Sequence, residues 1–330
     1  MRITYFHWSK TNNYSIVKSF RPLIDELKKE HEIREFHVPY AGASPINLLR
    51  NIIFVMKNRD NRGVNHITGD IHYCILGLIG CQSVLTIHDD YAIVKAKRGL
   101  LDKIYKWFFW LYLPIKFATK VICISNSTKS RIDRLVSNKK TQVLTQNSFN
   151  SNFKFSLKAF NTDYPRILQI GTSEQKNLES TLKAIENIPC ELRVVKKMSN
   201  SQHQLAKSLN IHYSNIYDIS DDDIIKEYIQ ADIIVFPSLY EGFGMPIIEA
   251  QAVGRPVITS DRPPMNWVAG DGALLLDDPQ NTEEYKSKIL SLIQSERLRR
   301  ELINYGQINI KRFEVSYIYM HFVEFYQKLI

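Results

Sequence analysis

Residues 237–259, PSLYEGFGMPIIEAQAVGRPVIT, constrain the fold more than any other stretch of the chain. They read as a strand end, a loop, a helix, a turn and a second strand. The preceding residues 231–236, ADIIVF, form a short apolar run of the kind found in a buried parallel strand. Gly242 and Gly244 let the loop backbone approach a ligand or take positive φ. Pro246 suits the first turn of a helix, and Gly254 the position just past its end. Glu241 is therefore expected in the loop and Glu249 about one turn into the helix. Both fall near the carboxyl ends of strands, where open α/β sheets bind ligands.

The rest of the chain repeats that grammar. Residues 2–7 and 33–38 read as strands, the stretches 65–73, 83–91 and 121–127 as the carboxyl ends of three more, with helices over 15–29 and 48–56. Each strand runs into a polar cluster: Asn65 to Tyr73 with His66, Asp70 and His72, then His88-Asp89-Asp90, then Ser125-Asn126-Ser127. Ser127 is expected to cap a helix starting near Thr128. Three such strand ends on one sheet edge point to a site. The loop 8–13 lacks the glycines of a dinucleotide fingerprint, so no NAD site is expected there.

A second run of elements follows the polar stretch 149–163. Strands are read at 166–170, 191–195, 215–217 and 231–236, with helices over 178–188, 221–230, 282–292 and 296–304. This is a doubly wound α/β pattern. With 330 residues there is room for two such domains. The expected division is 1–155 and 156–315, with an aromatic final helix over 316–330. The expected binding site is a cleft between them.

Charge is unevenly shared. Residues 1–150 hold 23 Lys and Arg against 11 Asp and Glu, and residues 151–330 hold 20 against 23. A basic first half suits phosphate-bearing partners or an anionic membrane surface. No reading motif for nucleic acid is present, so nucleic acid is not an expected partner. The segment 103–114, KIYKWFFWLYLP, is rich in aromatics, and Lys95, Lys97 and Arg98 precede it. Its apolar run is far too short to span a bilayer, but basic residues beside Trp and Phe suit an interfacial anchor; a core helix is the alternative. Four cysteines with no metal-ligand spacing and an amino terminus without a signal-peptide pattern fit a reduced, cytoplasmic protein.

Residue chemistry narrows the ligand. Glu249 near a helix start suits two vicinal hydroxyls such as those of a ribose, and the amides of Phe243, Gly244 and Met245 suit phosphate or sugar oxygens. Lys176, in a strand-helix loop, suits a diphosphate.

From Glu241 to Ala250 the sequence reads EGFGMPIIEA, continued by AVGRPV over 252–257 and by GDGALL over 270–275. This resembles the donor-binding signature of retaining GT-B glycosyltransferases, the family that includes sucrose synthase and bacterial polysaccharide and lipopolysaccharide transferases. The resemblance extends to Ile170-Gly171-Thr172, to Lys176-Asn177-Leu178, to His88-Asp89 and to Ser125 with Ser127. It implies two Rossmann-like domains facing across a cleft, and a final helix that returns to the first. It implies that Glu249 binds ribose, that Glu241 with the amides of 243–245 holds the transferred sugar, and that Lys176 faces the diphosphate. Gly171, Thr172 and Tyr217 would complete the donor side. His88 would lie near the anomeric centre, with Asp89, Ser125 and His72 on the acceptor side. The donor would be a UDP- or GDP-linked sugar, and neither metal nor cofactor is expected. The acceptor would be a saccharide or lipid-linked saccharide.

Three departures stand out. Thr172 replaces a frequent phosphate-binding Arg, Gln175 precedes Lys176 where Arg is common, and Lys196-Lys197 replace a glycine. The loop 8–13 also lacks a frequent Gly-Gly. These leave two rivals: a sugar-nucleotide-binding protein impaired in transfer, and a GT-B sugar-nucleotide epimerase.

Overall fold

The structure is a computed structural model that describes residues 1–8, 14–42, 44–89 and 99–330. The chain divides into two compact units, one of Met1–Ser148 with Glu314–Ile330, the other of Phe149–Phe313.

The first unit is built on six parallel strands: β1 (Arg2–His7), β2 (Glu32–His37), β3 (Val64–Ile67), β4 (Ser83–Ile87), β5 (Lys120–Cys123) and β6 (Thr141–Val143). Their order across the sheet is β2-β1-β3-β4-β5-β6. Alternation along the strands feeds two cores. Ile3 and Tyr5 of β1 pack with Val64, Val84 and Ile122 beneath the Tyr14–Leu27 helix and the Val315–Gln327 helix. Phe6, Ile67, Leu85 and Val121 pack on the opposite face against the Pro45–Asn58 helix, the His72–Leu78 turn and the segment around Trp110. The final helix thus sits in the first unit, where its Tyr326 phenol joins a buried chain with Tyr5 and His66.

The second unit holds β7 (Arg166–Ile170), β8 (Glu191–Val195), β9 (Tyr213–Ile216), β10 (Ile233–Phe236), β11 (Val257–Ser260) and β12 (Leu274–Leu276), again all parallel. Their order is β12-β11-β10-β7-β8-β9. The chain winds outwards from β7 to β9, crosses back, and winds the other way from β10 to β12. The strand order therefore reverses between β7 and β10, and a crevice opens outside their carboxyl ends.

Local chemistry explains the boundaries. The Met245–Ala252 helix carries Pro246 in its first turn and ends with Gly254 at φ +74. The Gly254 amide bonds the Gln251 carbonyl and the Arg255 amide the Ala250 carbonyl, the paired closure that a left-handed glycine permits. The helix expected over 178–188 stops at Ala184, because Asn187 turns left-handed at φ +63 ahead of Pro189. The expected cap at Ser127 is corrected. Ser125 caps the Asn126–Leu135 helix by accepting the Thr128 amide, while Ser127 lies inside the helix and accepts from Arg131. Ser125 wins because its backbone is extended (φ −153), which a cap residue requires.

Candidate active site

In the second unit the loops after β7 and β10 meet at the reversal of strand order. Gly171 follows β7 at φ +99, and a Cβ there would come within 2.8 Å of Lys176 Cγ. Glycine thus lets the Lys176 stem cross the backbone. Asn177 takes a left-handed φ of +57 and is buried. Its side-chain Nδ2 donates to the carbonyls of Pro237 (3.2 Å) and Pro279 (2.7 Å), and the Leu239 backbone amide donates to the Gln175 carbonyl. The two loops are therefore tied by backbone-directed bonds rather than by chance side-chain contact.

That tie brings Lys176 Nζ to 2.5 Å from Glu241 Oε1, with the side chains 20% and 13% exposed. The ammonium also lies 4.6 Å from the centre of the Phe236 ring. Gly244 takes φ +117 at the helix start, while Phe243 is buried edge-on against Trp267 and Phe313. Met245 is half-buried as the first helical residue. The first amides of the helix face the loop that carries Glu241, an arrangement that favours anions and oxygens.

Glu249 is half-buried and accepts a 2.7 Å bond from the Tyr228 phenol. Tyr228 is wholly buried on the Asp221–Gln230 helix, and no local motif marks it in the sequence. Burial first, and then the Glu249 charge, pushes its phenol pKa well up, so it stays a donor. The remaining donor-side residues follow β7 and β9. The Thr172 hydroxyl donates to the Lys197 carbonyl at 2.7 Å, and the Lys197 ammonium lies 5.8 Å from the exposed Tyr217 ring. Lys196 takes φ +96, a region that favours glycine, the residue whose place the resemblance gives to Lys196-Lys197.

In the first unit β3, β4 and β5 are neighbours, so the ends bearing Thr68, His88 and Ser125 share one edge. His88 Nε2 lies 2.8 Å from the Thr68 carbonyl. A carbonyl only accepts, so Nε2 carries the proton and Nδ1 is an acceptor. Burial lowers the His88 pKa, partly offset by the Thr68 bond and by Asp70 and Asp89. Gly69 sits close against Ile16: a Cβ there would come within 3.0 Å of the Ile16 side chain, while the His88 ring would lie at ordinary contact distance, 3.6 Å. The His88 carbonyl accepts from Thr128, on the helix that Ser125 caps, and Asp89 follows it half-buried.

His72 is turned into the core instead, with Nδ1 2.7 Å from the Trp110 carbonyl. Pro114 has no N–H to offer that carbonyl, which leaves it for the imidazole. The expected contributions of 9–13, Asp90, Lys95, Lys97 and Arg98 lie outside the described residues.

Residues 150–308 match the family model for glycosyl transferases group 1. Over 93% of this chain and 93% of the relative, the sequence is 26% identical to an uncharacterized glycosyltransferase, MJ1178, of Methanocaldococcus jannaschii. It is 31% identical to O-antigen chain mannosyltransferase B of Escherichia coli over 44% of this chain and 41% of that protein. In structure it is similar to Anabaena Alr3699/HepE, solved in complex with UDP and glucose, at a TM-score of 0.78 and 14% identity, covering 99% of this chain and 100% of that one. Residues 150–308 are thus a group 1 glycosyltransferase domain, in a chain that has the GT-B fold.

Proposed function

We propose that the chain is a retaining, metal-independent glycosyltransferase that moves a hexose, mannose first among them, from a UDP- or GDP-linked donor to a saccharide or lipid-linked saccharide. Its setting would be surface polysaccharide synthesis at the cytoplasmic side of a membrane. The observation that carries this reading is the meeting of Lys176, Glu241 and the start of the Met245–Ala252 helix where the strand order reverses. The mannosyltransferase relative supports the sugar, and the UDP complex of the structural neighbour supports a nucleoside diphosphate.

In this reading Glu249, oriented by Tyr228, accepts the ribose hydroxyls. The amides of Phe243, Gly244 and Met245 and the Glu241 carboxylate hold the transferred sugar. Lys176 turns part of its charge from Glu241 to the diphosphate as the bond to the anomeric carbon breaks and the leaving phosphate takes the electron pair. The acceptor oxygen bonds that carbon from the same side and passes its proton to the departing phosphate oxygen. No protein nucleophile is required. His88, neutral and with Nδ1 as an acceptor, suits a hydroxyl of sugar or acceptor.

One feature favours a second reading, a donor-binding protein impaired in transfer: Thr172 brings no charge, and its hydroxyl is spent on the Lys197 carbonyl. Turnover separates the two. Purified protein, given UDP- and GDP-sugars with saccharide acceptors and a chelator, is expected to form product with the donor's anomeric configuration. Donor binding without transfer or hydrolysis would select the second reading, and inverted product would overturn retention.

A further inference from the structure

Two helical segments in one layer of the first unit turn apolar side chains to solvent. The Pro45–Asn58 helix buries Leu48, Asn51 and Val55. Its other face exposes Ile46 (65%), Leu49 (59%), Ile53 and Met56, at helical spacing. Arg50 and Lys57 are exposed along the same face, and the helix contains no Asp or Glu. The segment 100–117 exposes Leu100 (72%), Leu101 (81%), Ile104 and Phe108, with Lys103 beside them. Its one acid, Asp102, is paired with Lys106 at 3.1 Å. Both segments pack on the same core over the same face of the first sheet, so their outer sides belong to one layer.

Much of the aromatic run at 107–113 is taken up by that core: Trp110 and Leu111 are buried, and Trp107 bonds the Leu135 carbonyl. The exposed apolar surface lies elsewhere, on the Pro45–Asn58 helix and at Leu100, Leu101 and Ile104. Contiguous apolar surface of this kind is rare on a soluble monomer unless something covers it. A symmetric contact between two copies would press this cationic face, with Arg50, Lys57 and Lys103, onto an identical cationic face, which like-charge repulsion opposes. An anionic lipid surface takes both features at once, the apolar ridge between acyl chains and the cations at the headgroups. No described helix is long and apolar enough to cross a membrane, so the contact is a seating on the surface.

We propose that the outer face of the Pro45–Asn58 helix, together with Leu100, Leu101 and Ile104 of the same layer, docks the protein on an anionic bilayer. This rests on, and names the partner for, the lipid-linked acceptor in the function proposed above.

The test is flotation of the full chain with phosphatidylcholine vesicles, with and without phosphatidylglycerol. The parent protein is expected to bind the anionic vesicles, less so in high salt. Leu49→Asp with Ile53→Asp, both on the exposed face, is expected to lower that binding about tenfold or more. Ile308→Ser, an exposed apolar position in the second unit, should change nothing. Arg50→Glu with Lys57→Glu should weaken binding and remove its salt dependence without touching the apolar ridge. Equal binding by parent and Leu49→Asp/Ile53→Asp would overturn the proposal, as would failure of the parent to bind, or a dimer that the double variant dissolves. Flotation uses neither donor nor acceptor, so loss of the transferase reading would leave this result standing, and the reverse.

Discussion

The phenol of Tyr228 donates a 2.7 Å hydrogen bond to Glu249 Oε2. Tyr228 is held by burial and by the edge of Phe153, whose ring centre is 5.3 Å away, so its hydroxyl is a fixed point. A carboxylate fixed on one oxygen presents the rest of its lone pairs in a set direction. Tyr228→Phe keeps the ring and removes only the donor. It is expected to weaken donor binding by about 1 kcal/mol, roughly fivefold, and to leave kcat unchanged. Glu249→Ala should cost about 2 kcal/mol, roughly thirty-fold. Calorimetry with a donor nucleotide reads both, and unchanged affinity in Glu249→Ala would sink the ribose role.

Lys176 and Glu241 neutralise each other at 2.5 Å in a part-buried site. Removing one partner leaves the other charge incompletely paired, and the two losses are not equivalent. Lys176→Gln would leave a carboxylate beside the diphosphate, so kcat/KM is expected to fall by about a hundredfold to a thousandfold. Glu241→Gln would leave the ammonium for the diphosphate. It should preserve donor affinity and lower kcat, because the sugar rather than the nucleotide is held less well. Steady-state kinetics distinguish them, and a fall in donor affinity alone for Glu241→Gln would contradict the assignment.

Lys196 adopts φ +96 at the end of β8, where an L side chain is strained. Lys196→Gly is expected to raise unfolding stability by about 1 kcal/mol, the strain relief outweighing the added freedom of the unfolded chain. If the Lys196 charge serves the diphosphate, the same variant binds donor less tightly, a trade of stability for function. Denaturant unfolding and donor titration on one preparation separate the two effects. A stability loss would show that the Lys196 side chain is held by favourable contacts instead.

How much of this was legible in the sequence depends on how local each signal is. Pro246, Gly244 and Gly254 mark helix ends through their own backbone preferences, and the structure uses them as read. The reversal of strand order between β7 and β10, which brings Lys176 to Glu241, is a property of the sheet and leaves no mark in either loop. Tyr228 sits on a helix whose sequence displays only its cap and its acidic first turn, so its contact with Glu249, 21 residues on, was invisible. The cap expected at Ser127 falls instead to Ser125, two residues earlier, whose extended backbone is a property of the folded chain and not of either serine. The Pro45–Asn58 helix carries apolar residues on two sides, and only the fold shows that Leu48 and Val55 are covered while Ile46, Leu49, Ile53 and Met56 are not.

Acid should loosen the first unit specifically. His66 is wholly buried, with Nδ1 2.6 Å from the Tyr326 hydroxyl and Nε2 2.7 Å from the Thr86 hydroxyl. Burial, and then the neighbouring His7 and His88, drives its pKa well below the ordinary 6.5. His7, His72 and His88 are lowered too, each chiefly by burial. A depressed imidazole pKa means that the unfolded chain binds protons which the folded unit refuses. The stability these groups contribute is therefore complete above pH 6.5 and is lost as pH falls below it. Glu35, held far down by His7, Lys28 and Arg21, adds a loss of the same sign, but only at much lower pH. Hydrogen exchange or thermal unfolding followed from neutral pH to about pH 5 should show the β1, β3 and β4 amides losing protection before those of β7 and β10. His66→Gln would flatten that slope while lowering stability at neutral pH, since it removes the titrating ring and disturbs the chain from Thr86 to Tyr326. A pH response shared equally by both units would refute the assignment to these histidines.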